Sequence, residues 1–295
     1  MTKKELDAYS IVFPKKEQYQ GIMFITSLSD SKMNIIRTCT FKKLPCILKN
    51  LKIYRNADYY ITANTFKANS SRRVNNLFAL NNIVFDIDIH NPDKKYDDLD
   101  PIENLIWRMK RDLFEIESPF RIPYPNLIVR TGRGIQIWWH IESASAKLLF
   151  LYNSVVIRLK DIFMAFIKEY PSEFSEATID CAASGNAAGL YRAFGSWNTH
   201  TKKKVKLEII HKQSINLNNF NSMLKGCQSL NDSIKKKKQV TISSNSAYIP
   251  LHRKRLSFIE YYVAGLRTVV GKRDNILFLY YNAAIQIMSK DSAKE

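Results

Sequence analysis

The chain has 295 residues, 45% of them hydrophobic and 24% charged, a composition that suits a folded globular protein of one large domain or two small ones. Lys and Arg number 45 against 27 Asp and Glu, a formal charge of +18. That balance argues against a generic metabolic enzyme and for a polyanionic partner, most simply nucleic acid, with an anionic membrane surface as the other reading. The four cysteines Cys39, Cys46, Cys181 and Cys227 form no CxxC pair, so a zinc ribbon and a thioredoxin-like motif are set aside. The opening MTKKELDAYSIVF has no apolar signal core, Thr2 stands where myristoylation needs glycine, and the apolar stretch 274–288 is too short and too polar to span a bilayer. These features predict a cytoplasmic protein with reduced thiols and no membrane contact.

In chain order, residues 1–80 read as a small α+β region. Strands are expected over 21–26, 34–41 and 59–62 and a short helix over 43–51; the segment 63–80 is polar and basic. NIVFDIDI at 82–89 is a strong strand, rich in β-branched and aromatic residues between turn-formers. A polar loop follows over 90–100. Apolar residues at helical spacing (Ile102, Leu105, Ile106, Met109, Leu113, Ile116) then predict a helix over 102–117. Pro119, Pro123 and Pro125 exclude helix. Two strands, 127–130 and 135–141, are joined by Thr131-Gly132-Arg133-Gly134, a hairpin signal. A long helix is expected over 144–170, and strands over 190–194 and 205–210. Residues 229–255 read as a basic, Ser/Asn-rich linker, and 256–270 and 272–288 as two helices split at Gly271. No internal repeat is visible.

Three motifs carry candidate chemistry. On the first strand, alternation puts Asp86, Asp88 and His90 on one face and Phe85, Ile87 and Ile89 on the other. Two carboxylates about 7 Å apart on a strand face can bridge hard divalent cations, the arrangement of two-metal phosphoryl transfer; a lone DxD also fits a solvated strand face. In the hairpin, two glycines allow close backbone approach to a phosphate and Arg133 supplies a charged fork; the plain alternative is a turn with a surface arginine. Gln136, Trp138 and His140 alternate on one face of its second strand. Third, Thr178-Ile179-Asp180 precedes LYRAFGSWN at 190–198, where Arg192 and Asn198 bracket a tight Gly195-Ser196 turn. Asp180 could be a third carboxylate or a cap. Arg192 and Asn198 could meet phosphate or sugar, or satisfy backbone carbonyls. GLRTVVGKR at 265–273 is not a P-loop, because five residues separate its glycines and Arg replaces Ser/Thr. No HExxH and no recognisable nucleophile motif occurs.

The order of these motifs, DID on a strand, TGRGIQIWW on a hairpin, then an acid followed by YRAFGSWN, resembles the archaeo-eukaryotic primase (primase-polymerase) superfamily. Within it, the chain is most similar to replication proteins of Gram-positive theta-replicating plasmids and related mobile elements. Gly271-Lys272-Arg273-Asp274-Asn275 fits that group's Gly-x-Arg-(Asp/Asn)-Asn motif, and DYYITANTF at 58–66 resembles the element preceding the DxD strand. The resemblance covers roughly 55–290. It implies an α+β fold, a primase-type catalytic domain (1–228) with a mixed or antiparallel sheet flanked by helices, ahead of the basic linker (229–255) and a small helical module (256–295), which has no obvious final cap and reads as continuing or cut just past this end. It implies a DNA-directed primase/polymerase of a plasmid or mobile element, using Mg²⁺ or Mn²⁺ held by Asp86, Asp88 and Asp180. Arg133, Gly134, Gln136, Arg192 and Asn198 take the nucleotide-binding positions. DNA, as single-stranded template or origin, and nucleoside triphosphates are the implied partners, with a helicase as a further candidate. Two departures stand out: Gln136 replaces the family histidine, and Phe194-Gly195-Ser196 the usual Pro-Gly-Thr. His140 lies about 13 Å from Gln136 along an ideal strand, a poor substitute. An origin-binding initiator with little or no catalysis is the main alternative. A metal-dependent nuclease and a non-catalytic protein acting through charge alone explain fewer of the motifs.

Overall fold

Antiparallel ladders join all the named strands in this computed structural model, which describes residues 2–14, 20–29, 32–44, 46–47, 57–90, 100–115 and 122–226. The α+β class expected from the sequence is the one the chain adopts, with antiparallel rather than mixed pairing. The linker, the helical module and the Gly271–Asn275 motif all lie outside the described residues, as do most of the polar loop at 90–100 and part of the helix expected over 43–51.

The larger sheet runs β12 (Lys206–Ile209), β6 (Leu127–Arg130), β7 (Gly134–Ser145), β5 (Leu77–Ile89), β4 (Thr65–Phe66). β8 (Ala177–Ile179) pairs with the far end of β5, at Ile87–Ile89. The smaller sheet runs β2 (Lys32–Cys39), β1 (Met23–Ser29), β3 (Asp58–Thr62), β9 (Leu190–Arg192). A two-stranded ribbon, β10 (Trp197–Asn198) with β11 (Lys203–Lys204), completes the set.

Strand alternation sorts the side chains of β5 and β7 into two cores. Ile83, Phe85, Ile87 and Ile89 of β5, with Ile135, Ile137, Trp139 and Ile141 of β7, pack against α2 (Pro101–Met109), α3 (Leu149–Glu169) and α4 (Leu217–Gly226). On the other face, Val84 and Trp138 pack against Ile25, Tyr59, Ile61 and Tyr191 of the small sheet and against α1 (Lys3–Val12). The large sheet is therefore the middle of three layers: along β5 and β7 its helix-side face is apolar throughout, and its small-sheet face is apolar around Val84 and Trp138.

Several boundaries differ from the sequence expectation, each for a local reason. β5 begins at Leu77, inside the segment read as polar, because Leu77, Ala79 and Leu80 are buried while Asn64 Oδ1 accepts the backbone N–H groups of Asn81 and Asn82 (2.7 and 3.0 Å). β7 runs on to Ser145, so α3 starts at Leu149 after a 3₁₀ turn. α2 ends at Met109, where a π-helical turn over Lys110–Phe114 takes over. The helix α1 was not anticipated: Thr2 and Glu5 form a capping box, with Thr2 N donating to Glu5 Oε2 at 2.7 Å, and Ala8, Tyr9 and Val12 are buried. Among the described residues, no helix is long and apolar enough to cross a membrane, and Cys39 and Cys181 are free thiols.

The β6–β7 hairpin closes through a two-residue loop, with Thr131 N donating to Gly134 O at 2.9 Å and Gly132 at φ +101°. A first loop residue with positive φ is the II′ geometry that matches strand twist. Gly134 pairs with Asp88, and a Cβ there would stand 2.1 Å from the carbonyl oxygen of Ile87. Gly134→Ala is therefore expected to push β7 off β5 and cost about 3 kcal/mol. A urea titration showing a loss under about 0.5 kcal/mol would contradict that packing argument.

Candidate active site

A cleft of about 310 Å³ opens where the apolar packing on the small-sheet side of β5 gives out. Along that face the cross-strand pairs are Asn82↔His140, Val84↔Trp138, Asp86↔Gln136 and Asp88↔Gly134. The face is thus polar and buried at one end, apolar in the middle and acidic at the cleft. Asp86, Asp88, Asp180, Arg133, Gln136, Arg192 and Asn198 all line this one cleft, although they come from four separate stretches of chain.

Asp180 is brought there by the segment that follows β8. Its N–H donates to the Asp86 carbonyl (3.0 Å), the Ser184 hydroxyl accepts from Asp86 N (2.9 Å) and donates to Asp86 O (3.0 Å), and Gly185 N donates to Val84 O (2.7 Å). This stitching extends the β8 ladder along the edge of β5 beside the acids. Asp180 Oδ1 also accepts from Ala182 N and Ala183 N (2.9 and 3.0 Å), so the same carboxylate caps its own turn.

The other partners are specific. Gln136 Nε2 donates to Asp86 Oδ2 at 2.9 Å, and Gln136 Oε1 is buried with no hydrogen-bond partner among the described residues. Arg133 reaches Asp88 Oδ2 at 3.2 Å and is nearly half exposed. Arg192 donates to Asp58 Oδ1 at 2.7 Å and to the Tyr60 hydroxyl at 3.1 Å, and its guanidinium lies over the Tyr60 ring. Asn198 is buried. Its Nδ2 donates to Thr131 O (2.8 Å) while its Oδ1 accepts from His200 N and Thr201 N (3.1 and 3.2 Å), so it ties the β10–β11 turn to the hairpin. Gly134 does not line the cleft; its part is the close approach to β5 described above. His90 is exposed, with Nε2 2.8 Å from the Thr178 hydroxyl. His140 is buried, with Nδ1 3.1 Å from Asn81 O and 3.2 Å from Asn82 Oδ1, and does not take the place of Gln136.

Asp58 and Tyr60 also line the cleft and were not singled out from the sequence. An alternating DYYIT strand gives them no distinguishing pattern. Only the β3–β9 ladder, which sets Tyr60 opposite Arg192, reveals them. Burial pushes the Tyr60 hydroxyl pKa up, against the lowering effect of Arg192.

Electrostatically the cleft is acidic within a basic chain. Four carboxylates (Asp58, Asp86, Asp88, Asp180) face two guanidiniums (Arg133, Arg192), so two negative charges lack a fixed partner. Removal from water raises the Asp86 pKa to about 7; the Gln136 hydrogen bond works against this, and the charges of Asp88 and Asp180 add to it. Oxygen-only, net-negative donors are the chemistry of Mg²⁺ or Mn²⁺ sites completed by phosphate or water. The fit is strongest for Asp86 and Asp88, which share a strand face. Among the described residues no group of three His, Cys, Asp or Glu side chains stands ready to hold one ion, and Oδ1 of Asp180 is engaged in capping its own turn.

Comparison with known proteins gives likenesses in sequence and in structure. A Clostridium perfringens protein named "Replication protein" is 30% identical over 108 residues, 37% of this chain and 24% of that protein, so the chain covers about a quarter of its length. The AEP domain of the cyanophage S-2L primase-polymerase is similar in structure, with a TM-score of 0.47 and 11% identity over 76% of this chain and 98% of that one. So is the catalytic domain of the primase RepB′, solved in complex with initiator DNA, with a TM-score of 0.42 and 14% identity over 80% of this chain and all of that one. No protein-family model matches the chain.

The raised pKa of Asp86 has a consequence for stability. The folded form binds a proton up to about pH 7 that the unfolded form releases near its ordinary value of 3.8. Stability attributable to this group therefore falls as pH rises from about 4 to about 7. In metal-free buffer Asp86→Asn is expected to be more stable than wild type at pH 8 by on the order of 2 kcal/mol, and the gain should vanish near pH 4. Denaturant titrations at the two pH values check this; an equal effect at both would refute the buried-charge account.

Proposed function

We propose that this chain is a DNA-replication protein of primase-polymerase type that joins nucleotides on a DNA template with Mg²⁺ or Mn²⁺. The observation that carries this reading is the meeting of Asp86, Asp88 and Asp180 with Arg133 and Arg192 in one cleft. The motif order in the sequence supports it independently. When bound, a divalent ion supplies positive charge to offset the phosphates of the incoming nucleotide. Asp86 and Asp88 would hold it, with Asp180 beside them in the cleft. Arg133, at the tip of the hairpin, and Arg192, on β9, would grip the polyphosphate through planar forks. Gln136 would fix the rotamer of Asp86 through its amide, and Asn198 would keep the flanking turn against the hairpin.

A second reading has its own observation. Each of the three acids already accepts a hydrogen bond within the protein: Asp88 from Arg133, Asp86 from Gln136 and Asp180 from its own turn. That economy also suits an origin-binding initiator that keeps the cleft but catalyses weakly or not at all.

The test is template-dependent incorporation of dNTPs or NTPs by the full chain on single-stranded and primed DNA with Mn²⁺ or Mg²⁺. Incorporation is expected, and Asp86→Ala with Asp88→Ala should lower it by at least about a hundredfold. Incorporation that survives the double change would overturn the assignment of the site. No incorporation by wild type with either metal, together with tight binding to the element's own origin, would favour the initiator.

A further inference from the structure

We propose that the β10–β11 turn, through Lys202 and Lys203, is a clamp for the phosphate backbone of a single strand of nucleic acid at the mouth of the cleft. The inference rests on the nucleic-acid reading above and goes beyond it by naming a surface outside the catalytic cleft.

Lys202 has φ +54°, and among the described residues it is the one non-glycine with positive φ. The left-handed region costs an L-residue roughly 1–2 kcal/mol, and glycine or asparagine is its usual occupant. The lysine is held there by fastenings in the residues that lead into it. Asn198 caps the turn from within and Thr199 N donates to Asp58 Oδ1 at 2.8 Å. Thr201 lies against Gly132, where a Cβ would come within 2.5 Å of the Thr201 hydroxyl. The turn is therefore locked against the hairpin loop that carries Arg133, and the surrounding structure sustains the strain, as is usual where a strained residue has a task.

The charges are sorted to match. Lys204, partly exposed, pairs with the buried Glu5 at 2.8 Å. Lys202 and Lys203 are exposed and make no ion pair among the described residues. His200, earlier in the same turn, lines the cleft, whereas neither lysine does. Two free ammonium groups outside the cleft reach phosphates that a bound mononucleotide does not extend to, so the fitting ligand is a polymer. Lysine, a point charge without fork geometry, suits contact that ignores sequence.

The experiment is anisotropy titration of the full chain with a single-stranded oligonucleotide across a salt series, with dATP binding and thermal melting measured alongside. Lys202→Gly and Lys203→Ala are each expected to weaken oligonucleotide binding by about three- to tenfold at about 100 mM salt and to flatten the log–log salt slope by about 0.7. Binding of dATP should not change. Lys202→Gly should melt at the same or a higher temperature, since glycine relieves the strain, and Lys202→Arg should restore binding. Wild-type affinity and slope in both Lys202→Gly and Lys203→Ala, with wild type binding normally, would overturn the clamp alone. Failure of wild type to bind any oligonucleotide would overturn the clamp and the nucleic-acid reading together.

Discussion

Asp86 sits two residues beyond Val84, the last apolar side chain on its face of β5, and keeping a carboxylate there constrains its neighbours. Phe85 and Ile87 beside it are buried in the helix-side core, and Val84 is buried in the other. Water reaches the carboxylate only from the cleft, which is why desolvation is the largest influence on its pKa. Gln136 answers with one hydrogen bond and no charge. A cationic side chain in its place would offset one of the two unpartnered negative charges; the amide leaves both for a ligand to meet. A backbone carrying such a group must be held firmly, and three devices do this: the Gly134 contact with Ile87, the Ser184 hydroxyl bonded to both backbone groups of Asp86, and the Asp180 N–H on its carbonyl.

Asp58 plays the corresponding part on the opposite wall. One of its oxygens accepts from both the Arg192 guanidinium and the Thr199 N–H. A single carboxylate thus fixes the cation of β9 and the start of the β10–β11 turn. At the same end that turn is bound to the hairpin by Asn198, which donates to Thr131 O. The small sheet, the ribbon and the hairpin of the large sheet are therefore joined around the cleft by side-chain hydrogen bonds rather than by one continuous ladder.

Much of this was legible in the sequence, for reasons that particular residues make clear. NIVFDIDI has the composition and alternation of a buried strand, and TGRG between two apolar runs has the chemistry of a tight hairpin. The two acids and the arginine could be assigned to faces and loops because strand period and turn type are local properties. The convergence of Asp180 and Arg192 with them could not be read from spacing, since it depends on β8 pairing with β5 and β9 with β3; the resemblance to primases supplied that expectation. Asp58, Ser184 and α1 were missed because their importance lies in long-range partners: Arg192, the backbone of Asp86, and the Phe194 turn that Tyr9 and Glu5 cover. Asn198 and Gly134 were noticed as polar and flexible residues beside a phosphate site, yet what they touch is backbone.

The charge distribution completes the argument. A chain of formal charge +18 attracts polyanions to its surface, but surface charges more than about 10 Å away are largely screened at 0.1 M salt. Inside the cleft the nearest fixed charges decide, and there four carboxylates outnumber two guanidiniums. A phosphate entering alone meets repulsion at close range in a partly dehydrated space, where Coulomb energies are larger than in bulk water. The same phosphate arriving with divalent cations meets carboxylates that can accept them. Under the proposed function the basic exterior and acidic interior would divide the work: the surface would gather nucleic acid without discrimination, and the cleft would take phosphate in company with metal.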